Sequence, residues 1–221
     1  MKHHVTEFTI RNVEMSDLDQ IAEIHRASFA DRALSQLGRA AIKRYYQWLI
    51  TGFPNNYHLC ASLDDGQISG FCFAGVYAGS FSGFLKQNRG FLMGNVLIRP
   101  WLIFNPIVRE QSTLAIKTLL KQFKNINKIR PSNQNKKEKV GKSRKSFGIL
   151  AIAVNPSFQQ QGVGQILMAT TETKALAEGY KQMHLSVHPD NIPAIRFYEK
   201  LGWQKNPPGE NWSGKMTKLI S

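Results

Sequence analysis

A short polar segment stands between a fully apolar run and a helical pattern. It reads QQQGVG at residues 159–164, and residues 163–178 carry the apolar spacing of a helix. The first amides of a helix have no intrahelical acceptor, and the helix dipole is positive at that end. The segment therefore predicts a site for a phosphate or pyrophosphate.

The two glycines of this segment suit such a site. A β-carbon at Gly162 or Gly164 would hold the backbone away from a ligand or require an unfavourable dihedral angle. Glycine is also common at tight strand-to-helix turns for packing reasons, so a purely structural role stays open.

Other phosphate-binding motifs do not fit this segment. A Walker loop requires Lys and then Ser or Thr after its last glycine, whereas Gln165 and Ile166 follow Gly164. A dinucleotide fingerprint requires a third glycine and an acid at a strand end, but Glu178 belongs to the predicted helix. ATP hydrolysis and nicotinamide binding are therefore disfavoured.

A second candidate group lies further along the chain, in NIPAIRFYEKLGW at residues 191–203. Asn191 precedes a helical pattern and can cap it. Tyr198 follows seven residues later on the face of Ile195 and Leu201, where a tyrosine in the core is the alternative to a functional one.

The pattern of apolar residues predicts the elements that position these groups. Residues 147–154, FGILAIAV, carry no charge and indicate a strand buried on both faces. Ser16 is expected to cap the first helix. Further strands are predicted at residues 7–13, 57–63, 68–77, 183–187 and 211–219, and helices at 16–29, 35–50, 163–178 and 191–201.

Residues 79–146 interrupt this alternation. Helical pieces are predicted at 81–87, 90–97 and 107–123, followed by a disordered basic loop at about 124–145. Eleven basic residues and one acid fall between Lys117 and Lys145, so most of the net charge of +14 is local. We interpret the 221 residues as one domain with a helical insertion.

Charge and composition also limit the partners. The basic loop at 124–145 has no aromatic residues on which bases could stack, so nucleic acid is a disfavoured partner. The apolar stretch 90–107 is too short to span a bilayer. Four roles remain open for it: core packing, an acceptor pocket, a dimer contact or a weak peripheral membrane contact. The sequence is compatible with a monomer or a homodimer.

The cysteine count favours a reducing compartment, and we expect a cytoplasmic protein. Cys60 and Cys72 lie on predicted paired strands and are interpreted as buried apolar residues. The sequence offers no metal-ligand spacing, so no metal site is predicted.

The two candidate groups together resemble the GNAT superfamily of acyl-CoA-dependent N-acyltransferases. The match consists of Gln159, Gly162 and Gly164 after a central strand, then Asn191 and Tyr198 seven residues apart. It covers residues 147–220 strongly, while 6–77 agrees only in element order. The resemblance implies an α/β fold with a mixed, mostly antiparallel sheet that is splayed beside residues 147–154 and has helices on both faces.

The resemblance also implies a role for each of these residues, with acetyl-CoA as cosubstrate. Tyr198 would protonate the departing thiolate, and Asn191 would bond the pantetheine arm. That arm would pair, like an added strand, with the backbone of Ile152, Ala153 and Val154. Together with Gln159, the residues whose amides would hold the pyrophosphate are Gln160, Gln161, Gly162, Val163, Gly164 and Gln165.

The base that accepts the proton of the amine is less clearly marked. In relatives that acetylate protein N-termini, a glutamate stands five residues before the Asn, and Ser186 occupies that position. His188 has a suitable ordinary pKa, with a surface role as its alternative. His58 and Glu23 are weaker candidates, and an ordered water remains an alternative.

The sequence thus predicts transfer of an acetyl group from acetyl-CoA to a primary amine, by direct attack in a ternary complex. A small-molecule amine such as an amino sugar is favoured over protein N-termini as acceptor, because of Ser186. The alternative is a binding protein that holds an acyl-CoA or a nucleic acid without turnover.

Overall fold

The computed structural model describes residues 7–98, 147–209 and 212–221. The helix predicted at 107–123 and the basic loop predicted at about 124–145 lie outside the described residues. The helical pieces predicted at 81–87 and 90–97 are confirmed as Ser80–Gln87 and Arg89–Ile98.

A single mixed sheet organises the described residues. Its seven strands have the order β1-β2-β3-β4-β5-β7-β6, and every neighbouring pair is antiparallel except β4 and β5, which are parallel. The predicted fold class is therefore confirmed. The strands are β1 (Thr9–Asn12), β2 (Tyr57–Ser62), β3 (Ile68–Gly75), β4 (Phe147–Val154), β5 (Gln182–Ser186), β6 (Gln204–Lys205) and β7 (Lys215–Leu219).

Helices cover both faces of this sheet. One hydrophobic cluster joins the sheet to α1, α3 and α4, and another joins it to α6 and α7. None of the described helices is both long and apolar enough to cross a bilayer. The helices are α1 (Leu18–Ser28), α2 (Ala33–Gln36), α3 (Arg39–Gly52), α4 (Ser80–Gln87), α5 (Arg89–Ile98), α6 (Val163–Ala177) and α7 (Ile192–Lys200).

The start of α1 differs from the prediction. A 3-10 turn, Met15–Asp17, precedes the helix, and the carboxylate of Asp17 accepts a hydrogen bond from the Glu14 amide at 2.8 Å. The same carboxylate lies 2.7 Å from Arg11. Asp17 therefore holds this turn, and the prediction of Ser16 as the cap is wrong.

The helix predicted at 35–50 is divided into α2 and α3 at Gly38. The φ angle of Gly38 is 90°, a conformation that glycine adopts without a steric penalty and that a continuing helix cannot contain. The hairpin predicted between 57–63 and 68–77 is confirmed as β2 and β3.

Strand β4 is less completely buried than its apolar sequence predicts. Ala74 of β3 lies opposite Ile149 and Phe73 lies opposite Ala151, so Leu150 is an extra residue that forms a β-bulge. Leu150 is 37% exposed, and residues 151, 152 and 154 are only partly buried, so the predicted burial on both faces is wrong for these four residues and holds for Ala153. The bulge marks the place where β4 leaves its neighbour β5.

The two cysteines behave as predicted. Cys60 and Cys72 lie on β2 and β3, and both are buried free thiols. Cys60 lies opposite Phe71 and Cys72 opposite Leu59, so the side chains point to opposite faces of the sheet. The interpretation of both as buried apolar residues is confirmed.

Candidate active site

Strands β4 and β5 diverge in the middle of the sheet. They are paired only at Phe147–Met183, Gly148–His184 and Ile149–Leu185. Beyond this point β4 is paired with β3 alone, through residues 151–154. Among the described strands none continues to pair with the β5 side of Ile152, Ala153 and Val154, so this edge is open to an extended ligand.

The turn after β4 carries a group of backbone amides that have no acceptor in the described ranges. The φ angles of Gln160 and Gly162 are 62° and 84°, and α6 begins at Val163. Within the described part of the chain, the amides of residues 160–165 donate to no backbone or side-chain acceptor. Six donors at a helix N-terminus are suited to an anionic ligand.

Side chains around this turn hold it in place. The amide group of Gln159 donates to the Val154 carbonyl at 3.4 Å, and that of Gln161 donates to the Ser157 carbonyl at 3.2 Å. The Val163 side chain is buried in the core, so only its backbone can face a ligand.

The two glycines of the turn serve different needs. Gly162 has a positive φ angle, which a residue with a β-carbon adopts only under strain. A β-carbon at Gly164 would lie 3.2 Å from Cζ of Phe197, so this glycine allows α7 to pack closely on α6. The packing role that the sequence left open therefore holds for Gly164.

Asn191 caps α7. Its Oδ1 accepts a hydrogen bond from the Ala194 amide at 3.2 Å, as expected of a helix N-cap. The side chain is exposed, and its amide group donates to no residue that the structure describes. One end of this side chain thus serves the helix, while the other can donate to a ligand.

Tyr198 lies in the cluster between the sheet and α6 and α7, and only 9% of it is exposed. Burial raises the pKa of its phenol, and Cys72, which lies opposite Ile152 of β4, raises it further. The phenol therefore keeps its proton at all ordinary pH values. Donation to a thiolate becomes favourable only if the thiolate is desolvated too, because burial raises the proton affinity of both anions.

The other candidate bases lie in three different parts of the fold. His188 lies half-exposed in the loop between β5 and α7, and its Nδ1 accepts a hydrogen bond from the Asp190 amide at 3.3 Å. His58 is buried on β2, two strands away from β4, and burial lowers its pKa to about 4. Glu23 is ion-paired with Arg26 and Arg39 on the surface of α1.

A residue that the sequence analysis missed lies closer to the divergence of the strands. His184 of β5 is directly opposite Gly148 of β4. The sequence contained a signal for it, since polar His184 and Ser186 alternate with apolar Met183 and Leu185. Its significance depends on the register with β4, which the sequence does not show.

Comparison with known proteins agrees with this geometry. Residues 123–203 match the model of the Acetyltransferase (GNAT) family. A mycothiol acetyltransferase of Brachybacterium faecium is 35% identical over 69 residues, which are 31% of this chain and 21% of that protein. An acetyltransferase of Pectobacterium atrosepticum is 36% identical over 53 residues, which are 24% of this chain and 38% of that protein. The chain thus spans well under half the length of either relative.

The fold also matches that of a solved structure. The crystal structure of a PaiA N-acetyltransferase from Thermoplasma acidophilum, in complex with coenzyme A, superimposes with a TM-score of 0.54. Sequence identity is 14%, and the alignment covers 97% of this chain and 99% of that chain. The family model thus matches the turn, β5 and α7, and the likeness to the solved structure shows that this chain shares the fold of that acetyltransferase.

Proposed function

We propose that the protein transfers an acetyl group from acetyl-CoA to a primary amine by direct attack in a ternary complex. The observation that carries this proposal is the open β4 edge beside a turn whose six amides have no acceptor among the described residues. The PaiA structure was determined with coenzyme A, and both curated relatives are named acetyltransferases.

The donor half of the site fits the parts of acetyl-CoA. The pantetheine arm carries amides that pair with the backbone of Ile152, Ala153 and Val154 like an added strand. The amides of residues 160–165 bind the pyrophosphate at the positive end of α6. The amide group of Asn191 donates to the pantetheine.

The reaction needs two proton transfers. The ammonium of the acceptor must lose a proton before its lone pair attacks the thioester carbon. As the C–S bond breaks, Tyr198 protonates the thiolate, and the nitrogen loses its second proton to give the amide. His188, in the loop after β5, is the acceptor of the first proton that the sequence predicts.

The acceptor proposed is a small-molecule amine, with amino sugars favoured over protein N-termini. Ser186 is exposed at the end of β5 and cannot act as a base comparable to a glutamate. The cytoplasm, where acetyl-CoA and such amines are present together, is the compartment proposed.

Thiol release from acetyl-CoA with a panel of primary amines tests this function. We expect turnover with at least one amine, and Tyr198→Phe should lower kcat by about 100-fold because the proton donor is lost while the ring still packs. Calorimetry should show the same acetyl-CoA affinity for both proteins.

Two outcomes would contradict the proposal. Wild-type protein that binds acetyl-CoA but turns over none of the amines would favour the non-catalytic binding protein. Unchanged kcat of Tyr198→Phe across pH would remove Tyr198 from the mechanism.

A further inference from the structure

His184 lies on the face of β5 that is opposite to α6 and α7. Met183 and Leu185 are buried in the cluster with Tyr198, and side chains alternate along a strand. His184 and Ser186 therefore share the other face, together with their cross-strand neighbours Thr217 and Lys215 on β7. The donor half of the proposed site and His184 are thus on opposite faces of the sheet.

The ring of His184 occupies space that only glycine leaves at position 148. A β-carbon on Gly148 would lie 2.5 Å from Cε1 and 2.6 Å from Nε2 of the imidazole. The φ angle of Gly148 is not positive, so its backbone conformation is one that other residues adopt. Gly148 is therefore required to give room to the ring, which lies across β4.

This ring is next to the point where the strands diverge. Gly148–His184 is the second of three paired positions, and Ile149–Leu185 is the last. The bulge at Leu150 follows immediately. An acetyl group held against the open edge of β4 would lie between the two faces of the sheet. The pantetheine arm would approach it from the face of α6, and the half-buried imidazole of His184 would lie on the other face.

The surroundings keep this imidazole neutral at neutral pH. Desolvation lowers its pKa, a hydrogen bond with the Phe147 backbone opposes this effect, and the charge of Lys215 lowers the pKa further. A neutral imidazole has one nitrogen that accepts a proton. Partial exposure on the face away from α6 leaves the group accessible to an incoming amine.

We propose that His184, seated on Gly148, accepts the proton of the acceptor amine, directly or through one water. This inference rests on the proposed acetyl transfer and assigns the base that it requires. The ammonium gives one proton to the imidazole, and the freed lone pair forms the C–N bond. The C–S bond then breaks, Tyr198 protonates the thiolate, and the nitrogen passes its second proton to solvent water.

The first test replaces the base. His184→Gln should lower kcat/KM by about 100-fold, the effect expected of a lost general base, and leave the acetyl-CoA dissociation constant unchanged. Wild-type kcat/KM should fall toward acid through an ionisation below pH 6.5, and this ionisation should be absent from His184→Gln. Thr217→Val, on the same face, should keep that ionisation.

The second test displaces the ring without removing it. Gly148→Ala should reproduce the loss of kcat/KM, because its β-carbon occupies the place of the imidazole. In a His184→Ala background the same substitution should have no further effect. A double-mutant cycle of this kind separates loss of the base from general damage to β4.

The outcomes distinguish this inference from the function beneath it. If the wild type turns over amines while His184→Gln retains kcat/KM and its acid ionisation, His184 is not the base and only this inference is overturned. The same holds if His188→Gln instead removes the ionisation. If the wild type does not bind acetyl-CoA or turn over any amine, the proposed function is overturned and this inference with it.

Discussion

Asn191 shows how one side chain can serve both the fold and a ligand. Its oxygen caps α7, while its amide group donates no hydrogen bond to any described residue. Tyr198, seven residues further along the chain, packs in the core, and the proposed mechanism gives its phenol a second role. Substitutions that keep one role and remove the other can separate them.

Asn191→Ser and Asn191→Ala form such a pair. Serine still caps the helix but lacks the amide donor, so acetyl-CoA affinity should fall with little change in stability. Alanine should lose the same affinity and, in addition, about 1 kcal/mol of unfolding free energy. Calorimetry and urea unfolding measure the two effects, and equal acetyl-CoA affinity in all three proteins would exclude a contact with the cosubstrate.

The sequence could predict Asn191 and Tyr198 because their spacing lies within one helix. His184 could not be found in this way, since its importance depends on a residue 36 positions earlier in the chain, Gly148. Strand register is a tertiary property, and alternation on β5 alone would equally suit a solvent-facing polar residue.

At the scale of elements, the turn before α6 decides whether the six amides face one ligand. Gly162 has a φ angle of 84°, and Gly179, just beyond the other end of the same helix, has a φ angle of 82°. A β-carbon would meet little at either position, with nothing within 4 Å at Gly179 and only Gln165 Oε1 at 3.9 Å at Gly162. The two glycines are thus matched in strain and differ in their distance from the proposed ligand.

Gly162→Ala and Gly179→Ala should therefore destabilise the protein to a similar extent, by about 1 kcal/mol, through the positive φ angle. Only Gly162→Ala should also weaken acetyl-CoA binding, because a relaxed turn redirects the amides. Urea unfolding and calorimetry on both variants check this expectation. Weakened binding in Gly179→Ala as well would point to a global effect and against the pyrophosphate site.

The elements themselves were largely predictable, and their irregularities were not. The uncharged run 147–154 indicated a strand, and the strand is found at those residues. The bulge at Leu150 left no mark in the sequence, because an apolar residue fits a bulge and a regular strand alike. Its consequence, the divergence from β5, was expected only through the family resemblance.

At the scale of the whole molecule, two buried histidines link the fold to pH. His25 and His58 are 7% and 8% exposed, and Nε2 of each is buried with no hydrogen-bond partner in the part of the chain that the structure describes. Nδ1 of His25 lies 2.8 Å from the Tyr46 hydroxyl. Burial lowers the pKa of both histidines to about 4, so the folded protein resists protonation that the unfolded chain accepts.

The unfolding free energy should therefore fall as pH falls from 6.5 toward 4, since the unfolded state binds more protons in this interval. Each histidine should contribute a loss of about 2 kcal/mol between pH 7 and pH 5. Urea unfolding at the two pH values measures the loss, and His58→Leu should reduce it by roughly half. A loss that is the same in His58→Leu and wild type would show that His58 does not stay neutral in the fold.

The central claim is that acetyl-CoA lies between the diverging strands and against the turn before α6. Amide hydrogen exchange with and without saturating acetyl-CoA tests this claim most directly. Peptides that cover residues 150–154 and 160–165 should exchange more slowly in its presence, while β1 and β2 stay unchanged. Unaltered exchange in both segments at saturation, or protection confined to another part of the protein, would contradict the account.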